Sequence, residues 1–107
     1  MDKLNKYGFV SGGYIFDLLD RAALEAINER FNNADKLIFT VDAQVEYHKQ
    51  LCNLRGAQTI VDFVEYDKVS RRYVAGVRLR QIATDIAHGT FYFKKANHNY
   101  CEIKDEK

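Results

Sequence analysis

The 107-residue chain has no proline, no tryptophan and only two cysteines, and its 16 Lys and Arg against 15 Asp and Glu leave a formal charge of just +1. Each shortage excludes something. Without proline there are no Pro-rich linkers or polyproline ligand motifs, and no internal repeat or low-complexity block takes their place. Cys52 and Cys101 form no CxxC pair, and seven Phe with seven Tyr can build a core without a disulfide framework, so both thiols are expected to be reduced. His48, His88 and His98 do not fall at HxxxH or HExxH spacing, and no metal is expected. The balanced charge lacks the footprint of a dedicated nucleic-acid binder, so no nucleic-acid partner is expected. No run approaches the about 18 apolar residues needed to cross a bilayer, and the opening residues have no signal-peptide pattern. A cytoplasmic protein without a membrane span is the expectation.

What is present reads as one globular unit: hydrophobic residues make up 47% and charged ones 29%, values of an ordinary soluble domain. The domain is expected over residues 1–96, with a charged tail over 97–107. Residues 13–31 carry apolar side chains at Ile15, Leu18, Leu19, Ala22, Ala23, Ala26 and Ile27, the spacing of an amphipathic helix. Ser11, Gly12 and Gly13 form the turn before it, Ser11 as a candidate cap, and Asn32 and Asn33 supply a stop. A strand follows, with Leu37, Phe39, Val41, Ala43, Val45 and Tyr47 on one face and Ile38, Thr40, Asp42, Gln44, Glu46 and His48 on the other. Further strands are expected over 57–66, 72–82 and about 84–95, the first two joined by a hairpin at Asp67 and Lys68. One helix followed by consecutive strands gives an α+β fold, an antiparallel sheet wrapped around one long central helix. A single helix cannot cover both faces of such a sheet. A homodimer, or a dimer of dimers, with edge strands paired across a two-fold axis resolves that.

The informative stretch is residues 5–28, which opens Asn5-Lys-Tyr-Gly-Phe-Val-Ser11-Gly12-Gly13 and continues to Asp20 and Asn28. It resembles the hot-dog-fold acyl-CoA thioesterases, in particular the phenylacetyl-CoA thioesterase-like branch. That family places an Asn six residues before a His-Gly-Gly that opens the central helix, an Asp seven residues beyond the second Gly, and an Asn later on the helix. Asn5, Gly12, Gly13, Asp20 and Asn28 match. Ser11 stands where the family has His, and the family's strand before the motif is missing because the chain begins almost at the motif. The resemblance implies a hot-dog fold and hydrolysis of a thioester of coenzyme A or acyl-carrier protein. It makes acyl-CoA the substrate or ligand and requires no separate cofactor.

The same residues can be read physically. At about 100° per residue, Asp17 lies opposite the apolar stripe and Asp20 on its flank, with Phe16, Ala23, Leu24 and Ile27 as helical neighbours. Coverage of that flank by a second subunit would desolvate the carboxylate and make it a better base or nucleophile. Gly12 and Gly13 leave room for a thioester carbonyl to approach the backbone, where free N–H groups and the helix dipole stabilise an oxyanion. The family assigns carbonyl polarisation to the second Gly, here Gly13; Asn5 would position carbonyl or water, and Ser11 could donate a hydrogen bond. Plainer readings stand beside these. Ser11 is a helix cap, Asn5 and Asn28 are turn and helix-end residues, and Tyr14 and Phe16 are packing residues rather than walls of an acyl pocket. Arg78 and Arg80 share a strand face with Arg72, joined by Lys68 and Arg71, either as a solvated face or as a clamp for the phosphates of coenzyme A. His48, His88 and Cys52 have no partner that spacing can identify and are taken as structural.

Two functions of different class remain: a thioesterase using Asp20 with the Gly12–Gly13 helix N-terminus, or a hot-dog regulatory protein that binds acyl-CoA without cleaving it. The loss of the family His favours the second, and the retention of Asp20, Asn5 and both glycines favours the first. A scaffold using the basic strand is a third possibility, marked by salt-sensitive binding and indifference to acyl-CoA.

Overall fold

The computed structural model describes residues 4–32 and 37–96. Asn33 of the expected helix stop, and the tail over 97–107 with its His98 and Cys101, lie outside the described residues. The expected helix is α1 (Gly12–Phe31), starting one residue early. Ser11 caps it in extended conformation, its Oγ accepting the Tyr14 N–H at 3.1 Å. At the other end Asn32 adopts the left-handed conformation, φ 55°, and its N–H donates to the Asn28 carbonyl. Asparagine tolerates that conformation better than most residues, so the helix stops there.

Four antiparallel strands follow: β1 (Ile38–Tyr47), β2 (Ala57–Asp67), β3 (Arg72–Gln81) and β4 (Thr84–Lys95). Their spatial order is β1-β4-β3-β2, so β1 and β2 are the edges. The central strands alternate: Tyr73, Ala75, Val77 and Leu79 of β3 and Ala87, Phe91 and Phe93 of β4 are buried with α1 residues Ile15, Leu19, Ala23 and Ile27. The helix therefore lies along one face of the sheet. Alanine at position 23, with no accessible surface, lets the helix axis come close to the strands.

The first strand departs from simple alternation. A bulge between Thr40 and Asp42 breaks the register with β4, and one extra residue inverts every side chain beyond it. Leu37, expected on the buried face, is 72% exposed, while Ile38 is buried. Before the bulge it is Ile38 and Thr40 that face the helix; after it Ala43, Val45 and Tyr47 do so, as expected. A second bulge between Val61 and Phe63 turns Phe63 onto the opposite face of the sheet, where its ring lies over Gly76. A Cβ at Gly76 would overlap that ring.

The β2–β3 turn forms at the expected place. The Asp67 carboxylate accepts the Ser70 hydroxyl at 2.9 Å and the Val69 N–H at 3.0 Å, and these bonds hold it below the usual carboxylate range. The β3–β4 turn is less comfortable. Ile82, 86% exposed, sits at φ 59°, a conformation costly for a β-branched residue. Ile82→Gly is expected to stabilise the protein by about 1 kcal/mol, whereas Leu19→Ala, at a fully buried site, should cost about 2–5 kcal/mol; urea unfolding of both variants measures the two effects.

Candidate functional site at the helix N-terminus

The chain enters the helix through a loop organised by one side chain. Asn5 Oδ1 accepts the N–H groups of Tyr7 at 2.9 Å and Phe9 at 3.1 Å. The Asn5 N–H donates to the Phe9 carbonyl at 2.7 Å, and the Gly8 N–H returns to Asn5 O at 3.0 Å. The tight turn needs Gly8 at φ 86°, which glycine adopts without a Cβ clash. Val10, buried, then fixes the loop to the body by donating its N–H to the Leu51 carbonyl at 2.7 Å. The turn reading of Asn5 thus holds for its side-chain oxygen.

Ser11 takes the cap role, its Oγ accepting the Tyr14 N–H. The first N–H groups of any helix lack intrahelical acceptors, and none of the described residues supplies one for Gly12 or Gly13; both glycines are exposed. Tyr14, half-buried, packs against the core. The Gly12 carbonyl is held by the Tyr47 hydroxyl at 2.9 Å, from the far end of β1. Burial pushes the Tyr47 phenol above the ordinary tyrosine value, so the hydroxyl keeps the proton it donates through the neutral range.

Two turns further along the helix, the half-buried Asp20 meets the beginning of β1. Its Oδ1 accepts the Thr40 hydroxyl at 2.8 Å. Asp17, by contrast, forms an exposed ion pair with Arg21 on its own helix, as its place opposite the apolar stripe led one to expect. Thr40 carries no mark in the sequence beyond being a polar residue on a strand; the bulge is what turns it toward Asp20. Asn28, the last residue of the motif, has a buried Oδ1 without a hydrogen-bond partner among the described residues.

Arg78 and Arg80 are placed elsewhere. They alternate with the helix-facing Val77 and Leu79 and so project from the other face of the sheet. Arg78 pairs with Asp62 at 2.9 Å and Asp85 at 3.3 Å, and Arg80 Nε lies 3.4 Å from Asp85. That same face brings together His48, His88 and Glu46, whose chain spacing gave no sign of it. A surface depression of about 370 Å³ lined by Tyr66, Ser70, Arg71, Tyr73, Lys94 and Lys95 lies toward the C-terminal end of α1, where Phe31 packs against Tyr66 and Tyr73, and touches neither Gly13 nor Asp20.

The helix laid along an antiparallel sheet has a counterpart in a conserved protein of Pseudomonas aeruginosa. Its structure is similar to this chain with a TM-score of 0.74 and 22% identity, over 86% of this chain and 70% of that one. The chain has the hot-dog fold. A protein from Thermus thermophilus is similar at TM-score 0.62 and 20% identity, over 86% and 73% of the two chains. A gentisyl-coenzyme A thioesterase is similar at TM-score 0.60 and 16% identity, over 89% and 80%. The family model of the thioesterase superfamily matches residues 7–52, the part of this hot-dog domain that holds Ser11, Gly12, Gly13, Asp20, Thr40 and Tyr47. No curated protein matches the sequence. In the described part of the hot-dog domain, no helix is long and apolar enough to cross a membrane. The cap assignment has a direct check: Ser11→Ala should lower stability by about 1 kcal/mol and Ser11→Asp should retain it, measured by thermal and urea unfolding.

Proposed function

We propose that the protein is a thioesterase that hydrolyses acyl thioesters of coenzyme A or acyl-carrier protein, with Asp20 as base or nucleophile and the Gly12–Gly13 helix N-terminus as oxyanion site. The observation that carries this reading is the Asp20–Thr40 hydrogen bond within the stretch matched by the thioesterase superfamily model. Thr40 donates to Oδ1 and so orients the carboxylate. That leaves the other oxygen to take a proton from water.

Geometry dictates how such a site is assembled. Gly13 and Asp20 are seven residues apart on one helix, about 10 Å along the axis at 1.5 Å per residue, too far for both to touch one thioester carbonyl. Seven residues at about 100° each nearly complete two turns, so the two groups share a face. A second helix running antiparallel beside the first would set Gly13 of each copy against Asp20 of the other. The edge strand β1 provides the means. Thr40, near its start, bonds Asp20, and Tyr47, at its end, bonds Gly12. Antiparallel pairing of β1 with its copy across a two-fold axis brings the start of one strand beside the end of the other. In this homodimer the partner covers the half-buried Asp20 flank and removes an exposed sheet edge.

Hydrolysis then proceeds without a cofactor. Asp20 accepts a proton as water oxygen attacks the thioester carbon, and the Gly13 N–H receives the developing negative charge. The Asn5 amide holds the carbonyl or the water. When the carbon–sulfur bond breaks, Asp20 returns the proton to the leaving thiolate, giving a free acid and a thiol. If Asp20 instead attacks directly, water resolves the anhydride to the same products.

Engagement of Ser11 as a cap, where a histidine would carry charge, favours the rival reading of a hot-dog protein that binds acyl-CoA without cleaving it. Thiol release from short, medium, long and aromatic acyl-CoAs separates the two. The thioesterase reading expects turnover, lowered by about 10²–10⁴ in Asp20→Asn with acyl-CoA binding retained, and by about tenfold in Thr40→Val, the scale of one hydrogen bond to a charged group. Absence of turnover with every substrate, beside saturable binding, would establish the regulator. Equal turnover by wild type and Asp20→Asn would remove Asp20 from the chemistry.

A further inference from the structure

On the face of the sheet away from the helix, three potential ligands converge from two strands that are distant in sequence. Glu46 and His88 are direct cross-strand partners in the β1–β4 ladder. His48, two residues beyond Glu46, projects to the same side as a strand alternates. Its backbone is fixed there, the His48 N–H donating to the Ile86 carbonyl at 2.7 Å and the Lys49 N–H to the same oxygen at 3.3 Å. Ile86 lies at an irregularity in β4 and its side chain is buried, so this anchor is part of the core.

The side chains meet closely. His48 Nε2 and His88 Nδ1 are 2.8 Å apart, with the rings stacked at 4.8 Å between centroids. The Glu46 carboxylate lies 3.6 Å from His88 Nε2. One donor atom from each of the three residues falls within 4.8 Å of the others. We propose that Glu46, His48 and His88 form a binding site for one divalent transition-metal cation of the zinc class. Two imidazole nitrogens and one carboxylate oxygen are a donor set such a cation accepts, with a further position left to water. Nitrogens sharing a tetrahedral zinc at about 2.0–2.1 Å stand about 3.4 Å apart, so the observed pair opens by about half an ångström. The widest donor separation, up to 4.8 Å, must close as well, and the exposed Glu46 side chain and imidazole rings make both adjustments by rotation about their side-chain bonds on a fixed backbone.

The surrounding charge permits a cation. Arg78 is the β3 neighbour of His88, yet its guanidinium is engaged by Asp62 and Asp85. A bound ion would tie the end of β1 to β4, on the strand whose Tyr47 holds the Gly12 carbonyl. It would thus stabilise the sheet beneath the helix N-terminus by mass action. The hard cations Mg²⁺ and Ca²⁺, which prefer oxygen donors, are not expected to compete.

Isothermal titration with Zn²⁺, paired with melting curves with and without the ion, tests the site. The expected result is one Zn²⁺ per chain and a rise in melting temperature. The His48→Ala/His88→Ala double variant should weaken binding by at least about a hundredfold, and Glu46→Gln by about tenfold or more, on the scale of ligand and supporting-group losses at metal sites. Cys52→Ser, which removes an exposed thiol, should bind as wild type does, as should Asp20→Asn. Binding by the double histidine variant as tight as the wild type's, or loss of binding in Cys52→Ser, overturns the proposal. All the altered side chains are exposed or half-buried, and circular dichroism of each variant establishes that it is folded.

Discussion

Leu19, Ala23 and Ile27 of the helix have no accessible surface, and the seat the helix makes on the sheet, chiefly on β3 and β2, determines where every candidate functional group can be. With that face committed to the core, the Asp20 flank must turn toward β1 and the helix N-terminus must lie over the end of the same strand. Two hydrogen bonds record the result, Thr40 to Asp20 and Tyr47 to the Gly12 carbonyl. Both join the helix to an edge strand. The half-buried carboxylate and the exposed helix N-terminus thus lie along a border that a single chain leaves open.

The fixed rise of the α-helix then constrains function. Seven residues separate Gly13, the proposed oxyanion donor, from Asp20, and no side-chain rotation contracts that distance along the axis. A hydrolytic centre built from both groups must therefore draw on two chains. In this account dimerisation supplies the geometry of catalysis, beyond whatever it adds to stability. The β1 edge is suited to it because the residues supporting the two groups stand near its opposite ends.

The helix and the four strands of this domain were legible along the chain because burial imposes periods of 3.6 and 2 that survive in the apolar residues. The Ser11 cap and the Asn32 stop were legible for a similar reason, since those residue types satisfy the ends of helices. The bulge at the start of β1 was not. One additional residue leaves the composition of a strand unchanged while inverting its faces, and it is this inversion that exposes Leu37 and delivers Thr40 to Asp20. Long-range pairing was equally hidden. His48 and His88 are separated by 40 residues, and the ladder register alone makes them neighbours. Arg78 and Arg80 shared a strand face, as the alternation indicated, but the carboxylates that occupy them, Asp62 and Asp85, come from a bulge and from a neighbouring strand.

The central claim is that one reactive centre takes Gly13 from one protomer and Asp20 from its partner. Mixing two separately inactive variants, Gly13→Val and Asp20→Asn, under conditions of subunit exchange tests it most directly by thiol release. In a mixed dimer one centre regains an intact glycine and an intact aspartate while the other loses both. Random exchange should then restore about one quarter of wild-type activity, half the dimers being mixed with one working centre in two. An active wild type whose two variants stay silent after verified exchange would place both groups within a single chain's site and contradict the account.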